Sequence, residues 1–364
     1  MNLAKLTLMT PGPVEVHPRV LKAQAAPVAS HRSESFRELY REVTEMLKQV
    51  YIGRGLVALV SGSGTTAVDS MVWSLIEPGE EVLAVSNGVF GDRLASSARR
   101  RGAKVHVLRK PEGQPIDAGE VAEVLDELKP SAVLAVHNET STGYAARNLR
   151  QIAARAREAG ALVLVDSVSG LGGEPLEADS WMLDAVASAS HKCIAAPPGV
   201  SFVYLGERAL EKLQRRESTT PPSLDLKLSA EYSRRRETPF TPPVTLLYAL
   251  REALKMLLED GLEARWRAHL EKAKEVYEAA ARAEASPIPP PEYRSATVAA
   301  IHLKAPRAKE VIEEVRKAGY LIAPGMGELR EQAVRVGLMG ATTMPQVREL
   351  AHHLEKAIKL HCSR

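Results

Sequence analysis

The feature that most constrains this chain is a repeated alternation of short, apolar, β-rich runs with amphipathic stretches of helical periodicity. The runs lie at residues 56–60, 81–85, 104–108, 132–136, 161–165, 185–189 and 200–205, with helix-like stretches at 65–76, 92–101, 118–128 and 149–159. Strands that alternate with helices build βαβ units, which require a mainly parallel sheet with helices on both faces. Runs that are apolar at every position, such as Ala161-Leu162-Val163-Leu164-Val165, suit strands buried on both sides. Gly102 and Gly160 follow two of the helical stretches, where a left-handed cap needs no Cβ.

A second pattern begins after the proline-rich stretch 239–243. Residues 244–259 read as an amphipathic helix stopped at Asp260-Gly261, and 262–284 as another. Pro287, Pro289, Pro290 and Pro291 mark 286–291 as a connector, after which 296–303, 308–318, 333–337 and a final helix over 345–360 form a smaller unit. The expected architecture is α/β: a large domain over 15–258 on a mainly parallel seven-stranded sheet, and a smaller C-terminal α+β domain over 259–364 joined by the N-terminal segment 1–14. A chain of 364 residues fits that division, since single cores tend to split above roughly 250–300 residues.

Composition narrows the function classes. Lys and Arg are interspersed with Asp and Glu, and the formal net charge is only +3, so Arg99-Arg100-Arg101 and Arg234-Arg235-Arg236 read as solvated faces and nucleic acid is not expected as a partner. The two cysteines, Cys193 and Cys362, allow no disulfide framework and suit a reducing cytoplasm. No apolar run approaches the roughly 20 residues that span a bilayer, and Pro11-Gly12-Pro13 interrupts the N-terminal stretch before a signal-peptide core could form. The histidines show no metal-ligand grouping, and the adjacent pair His352-His353 cannot share one helix face.

Three sites carry chemistry. Ser61-Gly62-Ser63-Gly64-Thr65-Thr66-Ala67 follows an apolar run and opens a helix, so its backbone N–H groups and the helix N-terminus can face an anion. An ordinary strand-to-helix turn with a threonine cap accounts for the same residues, and the Gly-Lys-Ser/Thr ending of a P-loop is missing. Asp166 ends the run Val163-Leu164-Val165, where open α/β sheets bind ligands; a carboxylate there can keep a ring nitrogen protonated, or simply cap a turn. Lys192, in Ser190-His191-Lys192-Cys193, sits among small and apolar residues, where burial lowers an amine's pKa and makes it a nucleophile and base; a solvated loop lysine is the bland alternative. Anion loop, pyridinium partner and amine, in that order, are the pieces that pyridoxal 5′-phosphate (PLP) requires.

With these motifs in place, the sequence resembles the class V, fold-type I aminotransferases, and within them the alanine–glyoxylate, serine–glyoxylate and serine–pyruvate group. The resemblance extends from Thr10-Pro11-Gly12-Pro13 and Ser30-His31-Arg32-Ser33 through Asn87-Gly88-Val89-Phe90-Gly91-Asp92-Arg93 and His137-Asn138-Glu139-Thr140-Ser141-Thr142-Gly143 to Arg335-Val336-Gly337-Leu338-Met339-Gly340. It implies that Lys192 is the Schiff-base lysine and Asp166 the partner of the pyridine nitrogen. Ser63, Gly64 and Thr65 match the phosphate cradle, with His191 close to the phosphate. Phe90 matches an aromatic stacked on the ring, where relatives often carry Trp or Tyr. Val168 matches the opposite ring face, and Thr140 a hydroxyl at the ring edge. Thr238 and Thr241 match residues that reach the phosphate from a partner subunit. Relatives commonly have Tyr at 238, so that contact is assigned to Thr241. The resemblance thus implies a homodimer with shared active sites.

Arg335 alternates with apolar neighbours in Ala333-Val334-Arg335-Val336-Gly337, as in a half-buried strand. Its fork can hold a substrate carboxylate, the role the resemblance gives it, although an arginine facing water from an edge strand has the same spacing. The reaction implied is ping-pong transamination between a small amino acid (alanine or serine) and glyoxylate or pyruvate, with Lys192 moving the proton. No second arginine is obviously placed for a distal carboxylate, although Arg32 or Arg234-Arg235-Arg236 could enter from a loop. The rival reactions are those of 2-aminoethylphosphonate, phosphoserine or aspartate aminotransferases, which handle a second anionic group. A cysteine desulfurase is a further rival, for which neither Cys193 nor Cys362 is well placed. A non-enzymatic subunit of the same fold is disfavoured by the intact lysine, aspartate and arginine.

Overall fold

The computed structural model describes residues 6–215 and 217–362; the first five residues of the expected N-terminal segment, and residues 363–364 of the C-terminal one, lie outside the described residues. The seven apolar runs form one sheet. Its strands are β1 (Leu56–Gly62), β2 (Glu81–Ser86), β3 (Lys104–Arg109), β4 (Ala132–Val136), β5 (Leu162–Asp166), β6 (Ala185–Ala189) and β7 (Gly199–Leu205), in the spatial order β1-β7-β6-β5-β4-β2-β3. Strands β2 to β6 run parallel, while β7 is antiparallel to both β6 and β1.

The apolar runs are explained by the two-residue period of a strand, which sends successive side chains to opposite faces. Val57, Leu59, Leu83, Val85, Val133, Val163 and Val165 enter one hydrophobic core. Their neighbours Ala58, Val60, Val82, Ala84, Leu134, Leu162 and Leu164 enter another on the opposite face. Helices cover both sides, so the interior strands are almost wholly apolar, and the buried Ser188 and Ser201 satisfy their hydroxyls on the carbonyls of Ser167 and Val60. The edge strand β3 differs. Lys104 and His106 are exposed on it and pair with Glu81 of β2, a charged edge of the kind that discourages pairing with other chains.

A second, four-stranded antiparallel sheet has the order Ser286–Pro287, Val298–His302, Ala333–Gly337, Ala323–Pro324. It packs with helices Leu262–Arg282, Ala308–Lys317 and Met344–Cys362 around a core of its own that includes Val276, Ile301, Val334 and Leu354. Thr7–Leu8 pairs parallel with Tyr320–Leu321, and the Gly337 N–H donates to the Met9 carbonyl at 2.7 Å. These contacts tie the N-terminal segment to the second sheet and lead Thr10–Pro13 toward the first. The connector over 286–291 is more ordered than its prolines suggested: Ser286–Pro287 adds a short strand and Pro291–Tyr293 a 3-10 turn. No helix among the described residues is long and apolar enough to cross a membrane.

Candidate active site

Parallel strands point their carboxyl ends to one edge of a sheet, and the chemistry-bearing turns follow from that. β1 leads into Ser63-Gly64-Thr65, β2 into Phe90, β4 into Asn138 and Thr140, β5 ends on Asp166, and β6 leads into His191-Lys192. These residues, with Val168, line one pocket of about 230 Å³. A larger open groove of about 1140 Å³, bounded by Arg54, Arg157, Arg208 and Arg236, lies at the opposite ends of the strands and contains none of them.

The anion turn is open. Ser63 is the N-cap of helix Gly64–Leu75 but makes no side-chain cap bond, which leaves its hydroxyl and the first helical N–H groups available. Gly64 is required by close approach: a Cβ there would lie 2.6 Å from Val168 Cγ1. His191 adds a buried Nδ1 with no hydrogen-bond partner, and burial together with neighbouring Lys192 pushes its pKa down to about 4, so the ring is neutral.

Asp166 is only 6% exposed. Burial pushes its carboxyl up to about 6 against the Val168 N–H, which donates to Oδ1 at 2.9 Å and favours the charged form. A buried carboxylate with one donor is short of positive charge, so a cationic ring nitrogen would suit it. Burial also pushes the Lys192 amine down to about 8, the nearby Asp166 raising it and Arg335 lowering it. Lys192 Nζ donates to the Pro11 carbonyl, and a Cβ on Gly12 would lie 2.6 Å from that nitrogen. At Gly12, φ is +124°, a conformation that glycine adopts without strain. The N-terminal Thr10-Pro11-Gly12-Pro13 motif is therefore the cover over the lysine.

Phe90 and Val168 supply apolar walls to the same pocket. Phe90 is placed by Glu139, which is fully buried and accepts from the Phe90 N–H at 3.0 Å, the Gly91 N–H at 3.0 Å and the Ser141 N–H at 3.1 Å. A glutamate inside a run of small residues was the available signal for this role, and sequence reasoning passed over it. Asn138 was missed as well: its Nδ2 bonds Ser169 Oγ at 2.8 Å and Thr297 Oγ1 at 3.0 Å, while Oδ1 is buried without a partner. Thr140 Oγ1 shares a 2.7 Å bond with the same Ser169 hydroxyl.

Arg335 is not on an edge strand. Ala333–Gly337 lies between two other strands, and the half-buried guanidinium donates through Nε to Pro324 O at 2.8 Å and through Nη1 to Thr140 O at 3.2 Å. Burial lowers its pKa to about 10, so it remains a cation at neutral pH. Thr241 is not brought to the pocket: it is exposed and lies with Val28–His31 along a separate groove of about 430 Å³. Arg32 does not enter either, being bound to Glu237 and to the carbonyls of Thr238 and Pro239. Arg234 and Arg236 line the larger groove instead. Arg93 is an arginine that sequence reasoning did not single out; its guanidinium lies 4.9 Å from the Phe90 ring centroid, on the pocket wall.

An open anion turn, a buried carboxylate, a buried amine and two apolar faces fit the phosphate, ring nitrogen, carbonyl and ring of PLP. No cluster of metal-ligating side chains occurs among the described residues.

Comparison with known proteins agrees with this fit. Residues 19–350 match the family described as Aminotransferase class-V. The chain is 33% identical to the alanine–glyoxylate aminotransferase of Oryctolagus cuniculus, over 98% of this chain and 93% of that protein. Among solved structures, the ureidoglycine–glyoxylate aminotransferase of Bacillus subtilis superposes with a TM-score of 0.91 at 30% identity, covering 98% of this chain and 93% of that one. An aspartate aminotransferase of subgroup IV from Thermus thermophilus gives 0.90 at 31% identity, with 97% and 99% covered. The fold is thus that of the fold-type I PLP enzymes, and the chain belongs to the class-V aminotransferases, which use PLP to move amino groups.

Proposed function

We propose that this chain transfers an amino group between a small amino acid, alanine or serine, and a small 2-oxo acid, glyoxylate or pyruvate, with Lys192 as the covalent anchor and proton carrier. The observation that carries the reading is the placement of charge around that amine. Arg335 is fixed through Nη1 to the carbonyl of Thr140, which lines the pocket together with Lys192, whereas Arg93 lies against the Phe90 ring on the pocket wall. One carboxylate-binding fork on the amine's side suits a substrate with one carboxylate. The glyoxylate named in two of the relatives agrees with it.

In this reading Ser63, Gly64, Thr65 and His191 hold the phosphate, Asp166 the ring nitrogen, Phe90 and Val168 the two ring faces, and Thr140 the ring edge. Thr241 serves the phosphate in the pocket of a partner subunit. Thr241 is exposed beside two large apolar side chains, Phe240 at 53% and Val28 at 73% exposure, a surface that suits a second copy of the chain. The bound cofactor supplies an electron-withdrawing ring that stores the electron pair left when the substrate Cα loses its proton. Arg335 orients the substrate by its carboxylate. Lys192 Nζ, once released, takes the Cα proton and returns it as general acid. Asp166 keeps the ring nitrogen charged, and the Thr10-Pro11-Gly12-Pro13 cover limits water around the amine. The two cysteines are free and buried, which suits a reducing cytoplasm.

A donor–acceptor panel tests the substrate class: alanine or serine with glyoxylate or pyruvate should turn over faster than aspartate or 2-aminoethylphosphonate with the same acceptors. Preference for a dianionic donor would replace the reading, and Arg93 is the residue that would then matter. Cysteine desulfuration is disfavoured because burial pushes the Cys193 thiol up to about 12 and Cys362 is also buried, leaving no thiolate to carry sulfur.

Two substitutions separate substrate from cofactor. Arg335→Ala should raise KM for the amino donor roughly 10²-fold, the loss expected for charge-assisted bonds, while a spectral titration shows PLP affinity unchanged. Gly64→Ala should weaken PLP about tenfold with little change in KM, because the new methyl drives Val168 into the pocket. Equilibrium titration of the ligand-free variant checks it.

A further inference from the structure

The segment that carries Thr241 has no secondary structure to hold it. Residues 237–243 lie outside any helix or strand, and Pro239, Pro242 and Pro243 have no N–H to offer. The Thr238 hydroxyl donates to the Phe240 carbonyl at 2.7 Å, and the rest of the hold comes from a side chain distant in sequence. Arg32 Nη1 donates to the Thr238 carbonyl at 2.7 Å and to Glu237 Oε2 at 3.0 Å, and Nη2 donates to the Pro239 carbonyl at 3.1 Å. The other oxygen of Glu237 is gripped by Arg37, through Nη2 at 2.7 Å and Nε at 3.1 Å. Arg37 belongs to helix Glu34–Tyr51, whose Phe36, Leu39 and Tyr40 are buried in the main core. The fork of Arg32 also lies 5.4 Å from the Tyr232 ring centroid. Glu237 is buried, and its two arginines hold its carboxyl below the usual range.

Resting on the reading that Thr241 serves the partner subunit's pocket, we propose that Arg32 is a positioning residue that acts across the dimer: its grip on Glu237, Thr238 and Pro239 sets where Thr241 meets the cofactor phosphate of the other subunit. A planar fork suits the task because it fixes two successive carbonyls and a carboxylate at once, which a lysine point charge cannot do. The rigid path runs from the core helix through Arg37 and Glu237 to Arg32, then to the carbonyls of residues 238 and 239. Thr241 is two residues further on.

The test measures PLP affinity by spectral titration of the ligand-free dimer, a readout that does not depend on turnover. Thr241→Ala comes first, and an unchanged affinity would overturn the reading of Thr241 and the proposal with it. Given a loss there, Arg32→Ala should weaken PLP by a comparable factor, about tenfold, and the double variant should lose no more than the weaker-binding single variant. Arg32→Lys should fall between, and it carries the test if the alanine variant does not fold. Co-expressed, differently tagged Lys192→Ala and Arg32→Ala subunits should form a heterodimer with one site of wild-type affinity, because that site draws its lysine from one chain and its Arg32 from the other. Unchanged affinity in both Arg32 variants overturns the proposal, as does a heterodimer that keeps the weak affinity of Arg32→Ala.

Discussion

Lys192→Ala is expected to lower turnover by at least about 10⁴-fold while leaving the ligand-free protein folded, because under the proposed function the substitution removes both the covalent anchor and the general base. The two effects separate because the lysine is poorly accommodated in the empty fold. Burial drives the amine down to about 8 from an ordinary 10.5, so below pH 8 the folded chain carries a buried cation that water would solvate better. Between about pH 8 and 10.5 the unfolded chain binds a proton that the folded chain does not, so stability rises with pH across that window. Removing the amine should therefore leave the melting temperature of the ligand-free protein at pH 7 unchanged or higher. Initial rates with alanine and glyoxylate, together with thermal melts, check both halves. Turnover within tenfold of the parent would end the role assigned to Lys192.

Asp166→Ala is expected to cost about 10²–10³ in kcat, the usual loss when one preorganised charge partner is removed from a buried site. Here too the folded state bears the cost of function. Burial lifts the carboxyl from 3.8 to about 6, so the folded chain holds a proton in that interval where the unfolded chain does not, and stability falls as pH rises through it. Above pH 6 the penalty is complete, roughly 3 kcal/mol by the free energy of a two-unit shift. Asp166→Asn should accordingly raise the melting temperature of the ligand-free protein at pH 7 and lose that advantage near pH 4. In the parent protein, PLP affinity should drop below about pH 6 as the carboxyl takes up its proton. A flat affinity profile from pH 5 to 8 would show that Asp166 does not carry the charge that meets the ring.

The places of both residues were legible from local pattern, because each ends or follows a strand at the carboxyl edge of a parallel sheet, whereas the roles proposed for them came from the family resemblance. Ser63-Gly64-Thr65 was legible for the same reason, as the turn between a strand and a helix. Glu139 and Asn138 were harder. Each lies in a motif that drew attention, but a buried glutamate gains its function from the N–H groups it caps, and those belong to another element, the start of helix Val89–Arg101. The two-residue strand Ser286–Pro287 hid behind its prolines, since an edge position tolerates a missing N–H.

By itself the sequence determined the strand–helix alternation, the two-faced burial of the sheet and the place of the anion turn, Asp166 and Lys192 on one edge. All of these follow from spacing along the chain, where the periods of strand and helix act over a few residues. Tertiary structure alone decided which distant groups complete the site. Pro11 covers Lys192 across 181 residues of chain, and Arg335 reaches the Thr140 carbonyl across 195. Arg32, a candidate for the substrate pocket on sequence grounds, is instead committed to Glu237 and two backbone carbonyls. The physical reason is the same in each case. A hydrogen bond is made by whatever donor the packing of whole elements delivers within about 3 Å, and no local period encodes that delivery.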